Sequence, residues 1–351
     1  VPRAGVPNHT SRFLGRAVGY TLRVLPVRPP IVFSPAGTRP FTTSPCVATV
    51  GNFDGVHLGH AAIVQRLVEM ARRLGLPAVV LTFDPHPAVI LRPEAAPRPL
   101  TTPARRAELL LGLGVDAVFV QPVDEQFMAI EAEDFYRRLL RERLGVRGLV
   151  EGNDFRFGTG RRGTIDMLAD LCRGDGVELA VVGPVEHGDE PVSSSRLRRL
   201  IAAGDVAVAN SLLTAPYRCT GSVIEGAKRG RTLGFPTANL GGLATLVPGQ
   251  GVYAGQVTIA PGAEAWPAAV HIGPNVSFGE TAVTVEAHLV GFEGDLYGRT
   301  LHVDFLERLR ETRRFASVAE LTRQLTDDVQ RAQAVSRQPA DSLTPRSRHA
   351  T

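Results

Sequence analysis

The sequence predicts an α/β doubly wound parallel sheet, followed by a small antiparallel β-barrel with a C-terminal helix. Three observations carry this reading. From residue 47 to about 203, short apolar runs alternate with helical stretches, the pattern of a parallel sheet covered by helices on both faces. After Tyr217 the texture changes to β-rich segments separated by Gly/Pro turns, which suits a small barrel. One amphipathic helix follows, near Ser317–Gln330. The 351 residues are enough for two domains.

Residues 1–46 hold six arginines, several prolines and no acidic residue, and they begin with Val. Such a composition fits a disordered arm, an over-extended translation start or a transit-like leader. The first two are preferred because no clear amphipathic helix develops. The first domain is expected over 47–213. Its strands are Val47–Val50, Val79–Thr82, Ala117–Val120, Leu149–Glu151 and Leu179–Gly183, with helices at Ala61–Leu74, Pro103–Leu113 and Ala132–Leu144 between them. Residues 204–213 read as a short connecting helix. The barrel domain is expected over 214–333, built from YRCTGSVIEG, GVYAGQVTIA, AAVHIG, VTVEAHLV and TLHVDFL runs. Residues 334–351 are polar and predicted to be disordered.

Composition narrows the function classes. A hydrophobic fraction of 44% and a charged fraction of 21% are ordinary for a globular chain. No run approaches the roughly 18 apolar residues of a membrane span, so a soluble protein with no membrane partner is expected. Lys+Arg is 39 against Asp+Glu 35, a formal charge of +4, and Lys228 is the only lysine. The excess is spread along the chain, whereas nucleic-acid binding calls for clustered charge; no nucleic-acid partner is expected. Cys46, Cys172 and Cys219 are odd in number and lack CxxC spacing, which points to a reducing cytoplasm without disulfides or zinc. Self-association is left open.

Residues 50–60 read VGNFDGVHLGH, with His57 and His60 three apart. A zinc pair usually sits at i, i+4 on a helix and needs a third ligand, and none is near in sequence. Satisfied core histidines would explain neither the glycines nor the position on a strand-to-helix turn. A phosphate site explains both, because glycines allow close backbone approach and a helix start favours negative charge. Gly51, Asn52, Phe53, Asp54 and Gly55 are then candidate phosphate contacts, which the resemblance described next makes ATP contacts.

The run His57-Leu58-Gly59-His60 resembles the H-x-G-H signature of the nucleotidyltransferase superfamily. Val192-Ser193-Ser194-Ser195-Arg196-Leu197-Arg198 stands where that superfamily carries a second signature, typically I-S-S-T-x-I-R; Ser195 replaces Thr there. Taken alone, this segment would pass as a capped basic helix. The resemblance makes Ser194, Ser195 and Arg196 ATP contacts, and His57, His60 and Arg198 the catalytic group. Together with LTFDPHP (81–87) and EGNDFRFGTGRRG (151–163), these motifs resemble the FAD synthetase module of the prokaryotic bifunctional riboflavin kinase/FAD synthetase family. That resemblance implies flavin-side roles for Phe83, Asn153 and Asp154.

The β-rich part contains GAKRGRTLGFPTANL, residues 226–240. It is not a Walker loop, but Gly226, Gly230 and Gly234 with Lys228, Arg229 and Arg231 suit a phosphate cradle. Thr237 and Asn239 offer oxygen ligands suited to Mg²⁺. A basic hairpin loop is the plain alternative for the glycines; G-x-P-T-A-N resembles the riboflavin kinase signature. In that family Glu286 falls at the catalytic glutamate, while on its own it reads as an exposed strand residue. GVYAG (251–255), DLYG (295–298) and LRETRRF (309–315) extend the likeness, and the last implies a flavin contact for Arg310. His271-Ile272-Gly273-Pro274-Asn275-Val276-Ser277-Phe278 departs from N-I-G-x-x-P-T-F, and Gly291 stands where Asp is common.

The resemblance covers about residues 47–330. It implies an enzyme that phosphorylates riboflavin to FMN and adenylylates FMN to FAD, using ATP twice and Mg²⁺. An alcohol nucleophile holds its proton and benefits from a base, whereas FMN's phosphate has a second pKa of about 6 and is already anionic. An essential carboxylate is therefore expected in the second domain only. Two rivals remain at this stage: a nucleotidyltransferase for another phosphorylated acceptor, and a flavin- or nucleic-acid-binding regulator without turnover.

Overall fold

The computed structural model describes residues 31–33, 45–226, 229–259, 264–274 and 283–337. The first domain is built on a six-stranded sheet. Its strands are β1 (Ile31–Phe33), β2 (Cys46–Val50), β3 (Ala78–Asp84), β4 (Ala117–Pro122), β5 (Val146–Gly152) and β6 (Glu178–Val182), in the order β1-β4-β3-β2-β5-β6. β2 to β6 are parallel, and β1 adds an antiparallel edge along β4. The inner strands are apolar along their length because both faces are covered. Val47, Val80 and Val118 pack with Leu67 and Leu110 on one face; Ala48, Leu81 and Leu149 pack with Leu139 and Leu168 on the other.

The principal helices of this domain are α1 (Leu58–Leu74), α2 (Pro103–Gly112), α3 (Ile165–Asp175), α4 (Ser194–Ala203) and α5 (Val206–Leu212). Their ends are written in the sequence. Thr102 caps α2, with Pro103 in its first turn, Thr164 caps α3, and Gly75 and Gly176 end α1 and α3 in left-handed conformation. Chain order reverses between β2 and β5. That crevice, at the carboxyl ends of the strands, is where open sheets of this kind bind ligands.

A two-stranded hairpin, β7 (Glu186–His187) and β8 (Glu190–Pro191), precedes α4. The second domain is a closed antiparallel barrel of β9 (Tyr217–Ile224), β10 (Ala238–Gly241), β11 (Gly251–Thr258), β12 (Ala265–Gly273), β13 (Thr284–Leu289) and β14 (Thr300–Arg310), ordered β10-β13-β12-β11-β14-β9. Alternation fills its interior with Val270, Ile272, Ala287, Val303 and Phe305, leaving His271, Glu286 and His288 on the outer face. The barrel core is continuous with Leu100, Val192, Leu197 and Ile201 of the first domain. The terminal helix α6 (Val318–Ser336) packs against β11, β12 and β14.

The structure corrects several boundaries. Ile31–Phe33 and Cys46, expected in the arm, belong to the sheet; β1 is three residues long and is held by pairing with β4, which no local pattern reveals. The helix read over Ala132–Leu144 is a short α-turn (Ala132–Asp134) followed by a wider π-type segment (Phe135–Arg143). The terminal helix runs through Ser336, into the stretch expected to be disordered, because Ala332 and Ser336 are buried against the barrel. Lys228 and the Val276-Ser277 departure lie outside the described residues.

Two candidate active sites, one in a sheet crevice and one on a barrel face

The turn after β2 is unusual backbone. Phe53 and Val56 both adopt positive φ, 46° and 42°, which for a β-branched residue is a genuine outlier. Asn210–Thr214, leading into the barrel, restrains it: Thr214 donates N–H (3.3 Å) and Oγ1–H (2.8 Å) to the Val56 carbonyl, and His57 bridges to Leu213. The turn delivers His57 to the N-cap of α1. There His57 Nδ1 accepts from the His60 N–H at 3.3 Å, and His60 Nδ1 accepts from the His57 N–H at 3.4 Å. The rings stack at 3.6 Å and 15°. Each Nδ1 is thus an acceptor, so each neutral ring carries its proton on Nε2.

Burial pushes His57 down to about 4, against the opposing pull of Asp54. His60 is lowered well below 6.5, first by burial and then by His57 and Arg106. The pair is therefore two neutral N–H donors at a helix N-terminus. Gly59 leaves room for the stacked pair, since a Cβ there would lie a tight 3.2 Å from the His57 ring. No group of three His, Cys, Asp or Glu side chains able to hold a metal occurs among the described residues.

The histidines border a cavity of about 760 Å³ at the β2–β5 crevice. Gly51, Asn52 and Phe53 line it, as do Phe83, Asn153, Asp154 and Ser194. Asn52 Oδ1 is buried without a hydrogen-bond partner among the described residues. One limb is aromatic: Phe83, Phe127, Phe135, Phe157 and Phe155 form a chain of ring contacts at 5.5–6.2 Å, a surface suited to a flat heterocycle.

Other predicted residues lie elsewhere. Asp54 is buried and does not line the cavity; it accepts from the Leu100 and Thr101 N–H groups (3.0 and 2.9 Å), from Thr101 Oγ1 (3.0 Å) and from Arg198 Nη2. Arg198 also donates to the Arg98 carbonyl at 2.9 Å. Gly55, at φ 90°, meets Leu100, and a Cβ there would lie 2.9 Å from it. Ser193, not Ser194 or Ser195, caps α4; Ser194 Oγ donates to the Asp54 carbonyl at 2.8 Å, and Ser195 is exposed. Arg196 grips the hairpin through the His187 and Glu190 carbonyls (3.0 and 2.8 Å).

Sequence reasoning missed three groups near this site. Arg106 is buried behind the turn. His86 lines the cavity and caps the short helix Pro87–Leu91 through Nδ1 (3.1 Å to the Ala88 N–H). Glu151, at the end of β5, is buried and accepts the Val50 N–H at 2.9 Å. Burial pushes its carboxyl well above the usual range.

The second site lies on the outer face of the barrel. Glu286 on β13 stands opposite Asn239 on β10 and His271 on β12. Thr237 Oγ1 donates to Glu286 Oε2 at 3.1 Å, and Thr284 Oγ1 to Oε1 at 3.2 Å. Thr237, Asn239 and Glu286 therefore form one cluster. The glycines of the preceding loop do steric work. A Cβ at Gly226 would lie 2.2 Å from Asn239 Nδ2, and one at Gly230 2.3 Å from the Phe235 carbonyl oxygen, while Gly234 takes φ 87°. Arg231 is exposed. His288 holds the PTAN segment by a 2.8 Å contact of Nδ1 with the Pro236 carbonyl. Arg310 makes a bidentate pair with buried Asp328 of α6 (3.0 and 2.7 Å), so it is anchored to the terminal helix.

Comparisons with known proteins agree with both halves. The FAD synthetase family model matches residues 40–196 and the riboflavin kinase model residues 213–336. A bifunctional riboflavin kinase/FMN adenylyltransferase from Pseudomonas fluorescens is 41% identical over 290 residues, 83% of this chain and 93% of the relative. Relatives of the same name from Escherichia coli K12 and Bacillus subtilis are 37% and 34% identical, covering 90% and 91% of their own lengths. A solved Streptococcus pneumoniae structure described as a macrolide-efflux protein superposes with a TM-score of 0.75 at 33% identity, over 85% of this chain and 96% of that one. Among the described residues, no helix is long and apolar enough to cross a membrane. The chain belongs to the bifunctional riboflavin kinase/FMN adenylyltransferase family.

Proposed function

We propose that the two sites divide two reactions between them. The barrel domain transfers the γ-phosphoryl group of ATP to the 5′-hydroxyl of riboflavin, giving FMN and ADP. The parallel-sheet domain joins FMN to the AMP moiety of a second ATP and releases pyrophosphate. Mutual capping of His57 and His60 beside the cavity carries the second assignment, with the ordered match of both family models across the chain. The rival readings, another acceptor or a regulator without turnover, account for neither the kinase half nor the relatives.

In the adenylyl transfer, an FMN phosphate oxygen attacks the α-phosphorus of ATP, and the bond to the β-phosphate oxygen breaks. FMN's phosphate is anionic, so no base is needed. The Nε2–H groups of His57 and His60 and the N-terminus of α1 donate to phosphate oxygens as charge moves toward pyrophosphate. Asn52 contacts the nucleotide, and Phe83, Asn153 and Asp154 border the flavin.

In the kinase reaction, the flavin hydroxyl attacks the γ-phosphorus while Glu286 takes its proton. Thr237 and Thr284 orient the carboxylate. Thr237 and Asn239 present hard oxygen donors that fit Mg²⁺, which when bound neutralises nucleotide phosphate charge. The first unit takes in β1 and β2 and runs to residue 213, and the second runs from 214 to the end of α6. A cytoplasmic setting accords with three free, buried cysteines.

Purified protein incubated with riboflavin, MgATP and pyrophosphatase should yield FMN and then FAD on chromatographic separation. FMN without FAD would remove the adenylyl-transfer half. Neither product would remove both.

A further inference from the structure

The side chains behind the cavity form a single buried cluster. Arg106 is 4% exposed and Asp54 is 2% exposed. Arg106 Nη1 donates to Thr82 Oγ1 and to the Phe83 carbonyl, both at 3.0 Å. Its Nε reaches Thr101 Oγ1 at 3.4 Å, and its Nη2 lies 3.7 Å from Asp54 Oδ1. Thr82 Oγ1 in turn donates to the Asn52 carbonyl at 3.0 Å. Asp54 is paired with Arg198 on the other side. Two of the residues held this way, Asn52 and Phe83, line the cavity, whereas Arg106, Thr82 and Asp54 do not.

We propose that Arg106 is a positioning residue for adenylyl transfer: its buried guanidinium locks the flavin-side end of β3 to the turn that presents His57 and His60. The proposal rests on the assignment of FAD formation to those histidines. The phosphate turn leaves β2, and Phe83 lies near the end of β3. Beyond the β2–β3 ladder, the two ends are joined by Thr82 and Arg106. A planar donor with several N–H groups can bond Thr82, Phe83 and Thr101 simultaneously while facing Asp54; a single ammonium cannot.

Charge supports the same reading. Asp54 stands between the Arg106 and Arg198 guanidinium groups, and the exposed Asp84 carboxylate also acts on Arg106. The Arg106 charge helps keep His60 neutral. Asp54 and Arg198 act within this frame, and Arg198 reaches the reaction through Asp54.

The test uses full-length protein and measures FAD formation from supplied FMN beside FMN formation from riboflavin. Arg106→Met should lower kcat for FAD on the order of 10²-fold, the effect of misplacing reacting groups by about 1 Å. KM values for FMN and ATP should move much less, and FMN formation should hold. Arg106→Lys should recover only part of the loss. Thr82→Val removes the shared hydroxyl without touching charge; its loss should be smaller and should not add to that of Arg106→Lys. This pair keeps the proposal testable if the Met variant does not fold. Unchanged kcat for FAD in the Met or Lys variant would overturn the proposal, as would equal falls in both activities with a lower melting temperature. If His57→Ala also left FAD formation intact, the assignment of the site, rather than the role of Arg106, would be at fault.

Discussion

His57 and His60, which we assign to adenylyl transfer, are tied to backbone on a buried turn, while Glu286, the proposed kinase base, stands on the outer face of a barrel with threonine partners. His57 and His60 each spend one ring nitrogen on the other's N–H, so their orientation is set before substrate arrives. Glu286 receives hydrogen bonds from Thr237 and Thr284, and Thr237 is exposed. The proposed nucleophiles account for the difference. A phosphate anion needs fixed donors along a path of moving charge, and an alcohol needs a base that can reach its proton.

The most direct way to break this contrast is to remove the base. Glu286→Ala should lower FMN formation by about 10²–10⁴-fold, the usual worth of a general base, with FAD formation from supplied FMN unchanged. His57→Ala should do the reverse, lowering FAD formation on the order of 10²–10³-fold, as for loss of a transition-state donor. Chromatography of the two products from each variant checks both. A single variant that removed both activities in folded protein would show that the sites are not independent.

Protonation sharpens the comparison further. With His57 held down to about 4 and His60 well below 6.5, neither ring titrates where a free histidine would. The acid limb of FAD formation should then belong to the FMN phosphate, near pH 6. His57→Gln should lower the height of the pH profile and leave its shape alone. Loss of the acid limb in that variant would mean that protonation of the His57 ring, and not of the FMN phosphate, sets it.

Much of this was legible because local pattern and chemistry coincide. The apolar runs of β2 to β6 mark strands buried on both faces, and H-x-G-H and P-T-A-N each keep their functional atoms within a few residues. What stayed hidden is held by distance in the chain. Asp54 and Arg198 look like substrate contacts in their motifs, yet they pair with each other across 144 residues. Arg106 lies among several arginines in RPLTTPARRAELL, and its only local signal is a place four residues before Leu110 on the buried face of α2. The bond from Arg106 to Thr82 spans 24 residues and appears only when the sheet assembles. Glu151 closes an apolar run and reads as the end of a strand.

Glu151 gives the smallest effect and one with a definite sign. Its carboxyl spans the β2–β5 crevice by accepting the Val50 N–H at 2.9 Å, and burial raises its pKa well above 4.5. An acid whose folded pKa is raised binds more protons folded than unfolded between the two values. Its contribution is therefore full below about pH 4.5 and is lost as pH rises toward the folded pKa, at up to about 1.4 kcal/mol per pH unit. The two histidines act in the opposite sense: their lowered pKa values cost stability as pH falls from 6.5 toward 4. Glu151→Gln copies the protonated acid and leaves the histidines in place. The difference between variant and parent therefore isolates the carboxyl. The glutamine protein should melt with the parent at pH 4.5 and above it at pH 8, with the gap widening in between. A gap that stayed constant across that range would mean that Glu151 remains ionised in the crevice.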